Sequence, residues 1–251
     1  MQTPRANVLT IAGFDPSGGA GLLADCKTFE QYEVYGFGVC TAWTVQTDDS
    51  FLNIHWLSAA QIIEQLQPLM NKFVVSACKI GIIDSLETLL EVIGFLKENS
   101  PAIQIVWDPV LKASAGYDFH AADTFHNLDV VLAAVTLVTP NYNELQQLQS
   151  IRGEALVKDD RAVYCPVLLK GGHRPDALGT DTLYEADGHT MIEAGVSTIF
   201  PKHGSGCVLS AAITARLAQG ATLQQACRDA KQYTESFLNS NQSLLGYHAS
   251  C

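Results

Sequence analysis

Val8-Leu-Thr-Ile11-Ala-Gly13-Phe-Asp15-Pro-Ser-Gly18-Gly19-Ala-Gly21 decides how the rest of the chain is read. Val8 to Ile11 is a short apolar run of the kind that forms a buried strand. Gly13 to Gly19 holds the residues of a tight turn: glycine for unusual backbone angles, proline for a fixed one, aspartate and serine for local hydrogen bonds. From about Ala20 to Tyr32 the pattern becomes helical. Strand, turn and helix in that order form the repeating unit of an α/β protein.

The unit recurs outward from this stretch. Phe37 to Thr47 is rich in β-branched and aromatic residues and predicts a strand. Leu57 to Leu69 carries Ile62, Ile63, Leu66 and Leu69 on one helical face, and Ser85 to Leu96 does the same with Leu86, Leu89, Leu90 and Ile93. Val74 to Ile80 is a strand candidate between them. Ile103 to Trp107 and Val135 to Val138 end at Asp108-Pro109 and Thr139-Pro140, where proline stops a ladder. Val167 to Leu169 ends at Lys170-Gly171-Gly172-His173. Leu183 to Ile192 alternates about Asp187-Gly188, a hairpin signal. Helices are predicted over Cys207–Gln219 and Leu223–Phe237, the second opened by a capping box of Thr222 and Gln225. No internal repeat or interdomain linker stands out. The expectation is one domain over residues 1–251, an α/β sandwich with a mostly parallel sheet, whose ligands bind beyond the carboxyl ends of the strands.

Composition narrows the function. The chain has 251 residues, 47% hydrophobic, enough for a full core. Its net charge of −11 argues against a general nucleic-acid binder. No apolar run approaches a membrane span, and Met1-Gln2-Thr3-Pro4-Arg5 lacks a signal peptide's apolar stretch, so a cytoplasmic protein that does not engage membranes is expected. Seven cysteines at irregular spacing, without Cys-x-x-Cys, fit reduced thiols. The histidines at 55, 120, 126, 173, 189, 203 and 248 show no metal-ligand spacing.

Several polar segments fall at strand ends. Gly13-x-x-x-x-Gly18 imitates a Walker A loop, but Gly19 and Ala20 stand where its lysine and hydroxyl belong. Gly19-Ala-Gly21-Leu-Leu-Ala24 fits a dinucleotide fingerprint formally, yet Thr44-Val-Gln-Thr47 offers no acidic residue for a ribose. The turn either binds a ligand, with Asp15, Ser17 and Asp25 adding polarity, or simply joins strand to helix. Asn141-x-x-Glu144 is either an N-cap with a carboxylate in the first turn or a pair that orders magnesium near a nucleotide. Asp108 either caps a turn or lies beside the same metal. Lys170 is an exposed charge or a contact for a transferring phosphate. His203-Gly204-Ser205-Gly206-Cys207 precedes a helical run with Leu209, Ile213 and Leu217. Its glycines and the helix N-terminus make an anion trap with a thiol at its lip. Cys207 is either a small buried residue or a thiol whose pKa the helix terminus lowers, ready to accept a proton from an alcohol.

In order, Ile11-Ala-Gly-Phe-Asp-Pro-Ser-Gly-Gly-Ala-Gly21, Ala24-Asp-Cys-Lys-Thr-Phe29, Thr41-Ala-Trp-Thr-Val-Gln46, Lys79-Ile-Gly81, Asp108-Pro-Val110, Thr139-Pro-Asn-Tyr-Asn-Glu144, Lys170-Gly-Gly-His173 and His203-Gly-Ser-Gly-Cys207 resemble the hydroxymethylpyrimidine/phosphomethylpyrimidine kinases of thiamine biosynthesis. These belong to the ribokinase superfamily. The resemblance spans residues 8 to about 238. It implies a ribokinase-like three-layer α/β/α sandwich. The implied activity is ATP- and Mg2+-dependent phosphorylation of 4-amino-5-hydroxymethyl-2-methylpyrimidine and then of its monophosphate. By position it implies that Ala20, Asp25, Gln46, Ile82 and Val110 bind the pyrimidine. Asn141 and Glu144 would order magnesium and ATP, with Asp108 near the metal, and Lys170 would contact phosphate. Gly204, Ser205 and Gly206 would form the anion hole, and Cys207 would act as the base. Superfamily relatives dimerise, so a homodimer is an expectation.

The chain departs from the family pattern at Phe14, Trp43, Ile82 and Gln46-Thr47-Asp48, around the implied pyrimidine pocket. The segment between Glu144 and Lys170 is short, and the glycine-rich ending is reduced to Gly246-Tyr247-His248. These departures keep two other readings open: a pyridoxal or pyridoxine kinase of the same superfamily, and a catalytically silent pyrimidine-binding protein.

Overall fold

In the computed structural model the described residues are 4–110, 127–173, 178–196 and 198–249; His120 and His126 lie outside them. The chain runs β1 (Asn7–Phe14), α1 (Gly21–Gln31), β2 (Tyr35–Gln46), β3 (Phe51–Trp56), α2 (Ala59–Lys72), β4 (Ala77–Ile80), α3 (Leu86–Asn99) and β5 (Gln104–Trp107). It continues α4 (Leu128–Ala134), β6 (Leu137–Val138), α5 (Tyr142–Arg152), β7 (Val157–Lys158), β8 (Arg161–Ala162) and β9 (Val167–Leu169). After a 3-10 turn at Gly171–His173 come β10 (Asp181–Glu185), β11 (Gly188–Ile192), α6 (Ser205–Ala218) and α7 (Leu223–Leu238).

Among the described residues nine strands form one sheet, in the order β11-β10-β9-β6-β5-β4-β1-β2-β3. The inner pairs, from β2 through β1, β4, β5 and β6 to β9, are parallel; β3, β10 and β11 add antiparallel edges. Inner strands are covered on both faces, so their burial does not alternate, as in Ala77–Ile80, where every residue is buried. On one face α2, α3, α4 and α5 present Ile62, Leu66, Leu89, Leu96, Leu132 and Leu148 to the sheet. On the other face α1 and α6 cover Val8 and Ala77 through Phe29, Ala211 and Ala215. There α6 and α7 also cover Val106, Leu137 and Leu168. The result is the expected three-layer α/β/α sandwich.

The chain leaves β1 toward β2 on one side, while β4, β5 and β6 build out on the other. Diverging loops at such a reversal leave a crevice at the carboxyl ends of the strands. Helix α6 lies against α1, β1, β4 and β5, which puts its N-terminus over that crevice.

Several elements differ from the sequence reading. β3, α4 and the small β7–β8 hairpin were not anticipated, and α2 runs to Lys72 through Pro68. Only half of the expected box at Thr222 forms. Thr222 Oγ1 accepts from Gln225 N (3.3 Å), but the Gln225 side chain donates to Asp229 instead (2.6 Å).

Candidate active site

Two glycine loops meet over the crevice. The first follows β1, where the buried Asp15 accepts from Ser17 N (2.8 Å), Ser17 Oγ (2.9 Å) and Ala20 N (2.8 Å) and so folds the turn upon itself. It ends at Gly21, whose φ of +57° and position leave a Cβ only 2.2 Å from the Gly13 carbonyl oxygen. The second loop caps α6 with Gly204, at φ +74°, where a Cβ would lie 2.0 Å from the Gly19 carbonyl oxygen. At Gly204 the two backbones therefore touch, and a side chain there would part them. Gly204 has no side chain to accept from the first turn of α6. The N–H groups at that end are left to an outside acceptor, at the positive end of the helix dipole.

A buried ionic cluster stands next to this N-terminus. Lys170 Nζ donates to Asp108 Oδ1 (2.8 Å) and lies 3.6 Å from Glu144 Oε2. Burial opposes its charge, but the carboxylates of Asp108 and Glu144 overcome that and hold the ammonium above its ordinary pKa. A Cβ on Gly206 would be 3.4 Å from Lys170 Nζ, so the ammonium faces the first turn of α6 directly. Asp108 also accepts from Thr139 (3.2 Å) and Ser210 (3.1 Å). Burial pushes the Glu144 carboxyl up, against the pull of Lys170. Glu144 and Asn141 form a reciprocal capping box at the start of α5, with 2.7 and 2.9 Å bonds. The capping reading of this pair is thus realised, and it fixes Glu144 beside Lys170.

A second ion pair lies deeper. Lys79 Nζ and Asp25 Oδ2 are 2.7 Å apart with both side chains fully buried, and Thr10 Oγ1 donates to the same oxygen at 2.5 Å. Burial pushes the Asp25 carboxyl up while Lys79 and Thr10 pull it back; the ion pair satisfies both charges. Asp25 Oδ1 has no hydrogen-bond partner. Cys207 sits between the two clusters. The lowered thiol pKa expected from its place on α6 does not hold: burial raises it, Asp25 and Asp108 add to that, and Lys79 and a hydrogen bond from Gly21 N–H oppose them. The helix terminus is a local effect, whereas desolvation by the whole fold is larger.

The remaining site residues gather at the same strand ends. Ile82 packs on Gly13, where its Cδ1 is 2.4 Å from a would-be Cβ, and its carbonyl accepts from Thr41 (2.7 Å). Gln46 Nε2 donates to Thr44 Oγ1 (2.7 Å), which donates to the Phe14 carbonyl (2.9 Å), tying the end of β2 to the end of β1. Val110 is half-buried just past β5. Asp25 does not line the surface: Oδ2 is taken by Lys79 and Thr10, and Oδ1 is buried without a hydrogen-bond partner, an acceptor left for a bound group.

Sequence reasoning gave no role to Lys79, although a lysine inside the apolar run Ala77–Ile80 is a signal of a buried, paired charge. It also missed a groove of about 660 Å3 between the end of β11 and α7, lined by Met191, Glu193, Val196, Lys231, Gln232 and Ser236. A polar path joins the groove to the ionic cluster. Lys231 bonds the Gly179 carbonyl and lies 3.4 Å from Asp181 Oδ2, and Asp181 Oδ1 accepts from Gly171 N (2.6 Å), next to Lys170.

A helix-terminal anion cradle, a facing ammonium and flanking carboxylates at the reversal point of a doubly wound sheet define a phosphate-handling α/β protein. The family model described as phosphomethylpyrimidine kinase matches residues 15–250, and the chain belongs to that family. It is 34% identical over 235 residues to the hydroxymethylpyrimidine/phosphomethylpyrimidine kinase of Staphylococcus aureus (strain MSSA476), covering 90% of this chain and 85% of that protein. The crystal structure of phosphomethylpyrimidine kinase from Clostridium difficile 630 superposes with a TM-score of 0.73 at 29% identity, over 92% of this chain and 98% of that one. An ADP complex of Bacillus subtilis pyridoxal kinase gives 0.78 at 26% identity, over 94% and 92%. The ribokinase-like fold and the phosphotransferase class implied by the motifs are borne out.

Proposed function

We propose that this chain, as a single domain in the cytoplasm, transfers phosphate from ATP to the hydroxymethyl group of 4-amino-5-hydroxymethyl-2-methylpyrimidine, and then phosphorylates the monophosphate, for thiamine assembly. The observation that carries this is the meeting of Lys170, the N-terminus of α6 and Cys207 beside the Gly19–Ala20 backbone. The pyrimidine lies between Ala20, Ile82 and Val110, with Gln46 and the open oxygen of Asp25 toward its ring and amino nitrogens. The groove beside α7 takes the nucleoside end of ATP, and its path to Lys170 directs the phosphates to the cradle.

The hydroxymethyl oxygen attacks the terminal phosphorus, an O–P bond forms, and the bond to the ADP oxygen breaks. Charge spreads over the transferring oxygens in a loose transition state, so positioning and electrostatics do most of the catalysis. The amides of Ser205 and Gly206 and the Lys170 ammonium meet that charge without reorganising. Burial holds the resting Cys207 as a thiol, so it first releases its proton to solvent and then, as a thiolate, takes the alcohol proton and returns to the thiol. A donor from the pyrimidine on Asp25 draws charge away from the sulfur and leaves Lys79 to favour that thiolate. Glu144 and Asp108 are hard oxygen donors beside the cradle and would hold a magnesium ion there. A magnesium ion held there would neutralise charge on the phosphates, and Asn141 N–H, donating to Glu144 Oε2, keeps that carboxylate in place.

The likeness to the pyridoxal kinase supports a second reading, with pyridoxal as acceptor. ADP release measured with each alcohol in saturating Mg·ATP tests both. A preference for pyridoxal above about tenfold in kcat/KM, about 1.4 kcal/mol, overturns the first reading. Tight pyrimidine binding with no ADP formed overturns both and marks a silent binding protein.

A further inference from the structure

One oxygen, Asp15 Oδ2, accepts from both sides of the crevice: from Ala20 N at 2.8 Å and from His203 Nε2 at 3.0 Å. Ala20 belongs to the turn proposed to hold the pyrimidine, and His203 is the residue before the Gly204 cap of the cradle. These partners are 188 residues apart in the chain for the histidine pair, and both side chains are buried. The His203 ring also lies so close to the first loop that a Cβ on Gly19 would meet its Cδ2 at 2.6 Å. From behind, the C-terminal segment closes the arrangement. Leu244 O accepts from His203 N (2.9 Å), Leu245 Cδ2 lies 2.8 Å from the would-be Gly19 Cβ, and Lys202 Nζ donates to Asn241 O (2.6 Å).

We infer that Asp15 and His203 are positioning residues of phosphoryl transfer, a clasp that sets the spacing between the acceptor loop and the anion cradle. This deepens the functional reading above and rests on it. Neither residue touches the reacting atoms. Each acts through the backbone it holds: Asp15 through Ala20 N–H, and His203 through the entry to Gly204. Transfer needs donor and acceptor within contact distance, and a misplacement of about 1 Å costs about a hundredfold in rate. A shared acceptor atom fixes that distance more tightly than two separate bonds would, since neither loop moves without straining the other's hydrogen bond. The substrates bind to different loops, so the spacing governs turnover more than the affinity for either one.

The test compares Asp15→Asn, His203→Ala and His203→Gln with the wild-type protein by steady-state kinetics and by amide hydrogen exchange of peptides spanning 13–21 and 202–209. Asp15→Asn and His203→Ala are expected to lose about a hundredfold in kcat per folded molecule, with KM for pyrimidine and for ATP each within about threefold of wild type. His203→Gln, which retains an N–H donor of similar reach, is expected to recover to within about tenfold of wild type. A residue that only stabilised the fold would lower the melting temperature while leaving kcat per folded molecule unchanged, and that result overturns the clasp. So does a rise in KM at constant kcat. If Asp15→Asn does not fold, the two His203 variants decide by the same criteria.

Exchange needs no turnover. In His203→Ala both peptides are expected to exchange faster together, whereas acceleration confined to 202–209 overturns the coupling. If the wild-type protein releases no ADP with pyrimidine or pyridoxal, the functional reading fails, and exchange alone decides whether the two loops are coupled.

Discussion

Replacing Asp25 by asparagine removes the counter-charge of a fully buried lysine, and its consequences follow from the geometry. Lys79 Nζ and Asp25 Oδ2 are 2.7 Å apart, with both side chains at 0% exposure. Removing one partner of such a pair costs about 3–5 kcal/mol, because the remaining ion is buried without compensation. The variant has one escape, which is to fold with Lys79 neutral. At pH 7 taking a proton from a group of ordinary pKa 10.5 costs about 4.8 kcal/mol, so both routes give a similar figure. For a chain of 251 residues, a loss of about 4 kcal/mol lowers the melting temperature by about 8 °C.

The pH dependence separates this cause from a general loosening. In the wild type Lys79 is held above 10.5, so its proton does not distinguish folded from unfolded protein near neutrality. In Asp25→Asn the folded pKa of Lys79 falls below the unfolded value. Between the two the unfolded state binds the extra proton, so stability rises with pH, by up to about 1.4 kcal/mol per unit. Urea unfolding at pH 7, 8 and 9 should therefore show the deficit of the variant shrinking, and Lys79→Met added to Asp25→Asn should recover at least about half of it. A single variant that melts within about 1 °C of wild type, or a double variant no more stable than the single, would refute the buried-pair reasoning.

Cys207→Ala should lower kcat by about a hundredfold and leave pyrimidine KM nearly unchanged, since a loose transition state leans only moderately on its base; turnover within about threefold of wild type would remove the thiol from that role. Gly204→Ala adds a Cβ at φ +74°, 2.0 Å from the Gly19 carbonyl oxygen, and should destabilise by about 3 kcal/mol and abolish most turnover; thermal melts and ADP release check both. Burial, helped by Lys27, lowers the His248 pKa from 6.5 to about 4. The unfolded chain takes up that proton first, so the stability tied to neutral His248 is whole above pH 6.5 and lost as pH falls toward 4. Unfolding curves across that window should be flatter for His248→Phe, and equal slopes would contradict the assignment.

The parallel core was legible because its strands are buried on both faces and stop at glycine or proline. Ile103–Trp107 before Asp108-Pro109 is one example, and it became β5 with little change. β3 was not legible, because Phe51-Leu-Asn-Ile-His-Trp56 is an antiparallel edge strand, exposed or half-buried throughout, and only pairing with β2 makes it a strand. The hairpin of β7 and β8 has strands of two residues each, too short for any period, and turns through Asp159 and Asp160 at positive φ. At the site, the glycines of 203–207 were readable because their spacing reflects a local backbone need. The partners were not. Asp15 with His203 and Lys79 with Asp25 are pairings across the fold that no window along the chain contains. The direction of the Cys207 pKa stayed open in the sequence for the same reason: the helix terminus is written in neighbouring residues, the burial is not.

The placement of α6 has a consequence for how the chain comes off the ribosome. Ala211 and Ala215 cover Val8, Phe29 and Ala77, which are synthesised long before them. A nascent chain that has not yet emerged through Ala218 holds β1, α1 and β4 with that side uncovered, and it holds a first glycine loop with nothing to close upon. Contacts of such long separation form slowly. The apolar surface most in need of shielding during synthesis thus lies at the amino ends of β1 and β4, away from the crevice, and the same late helix that buries it also completes the cradle with its other end.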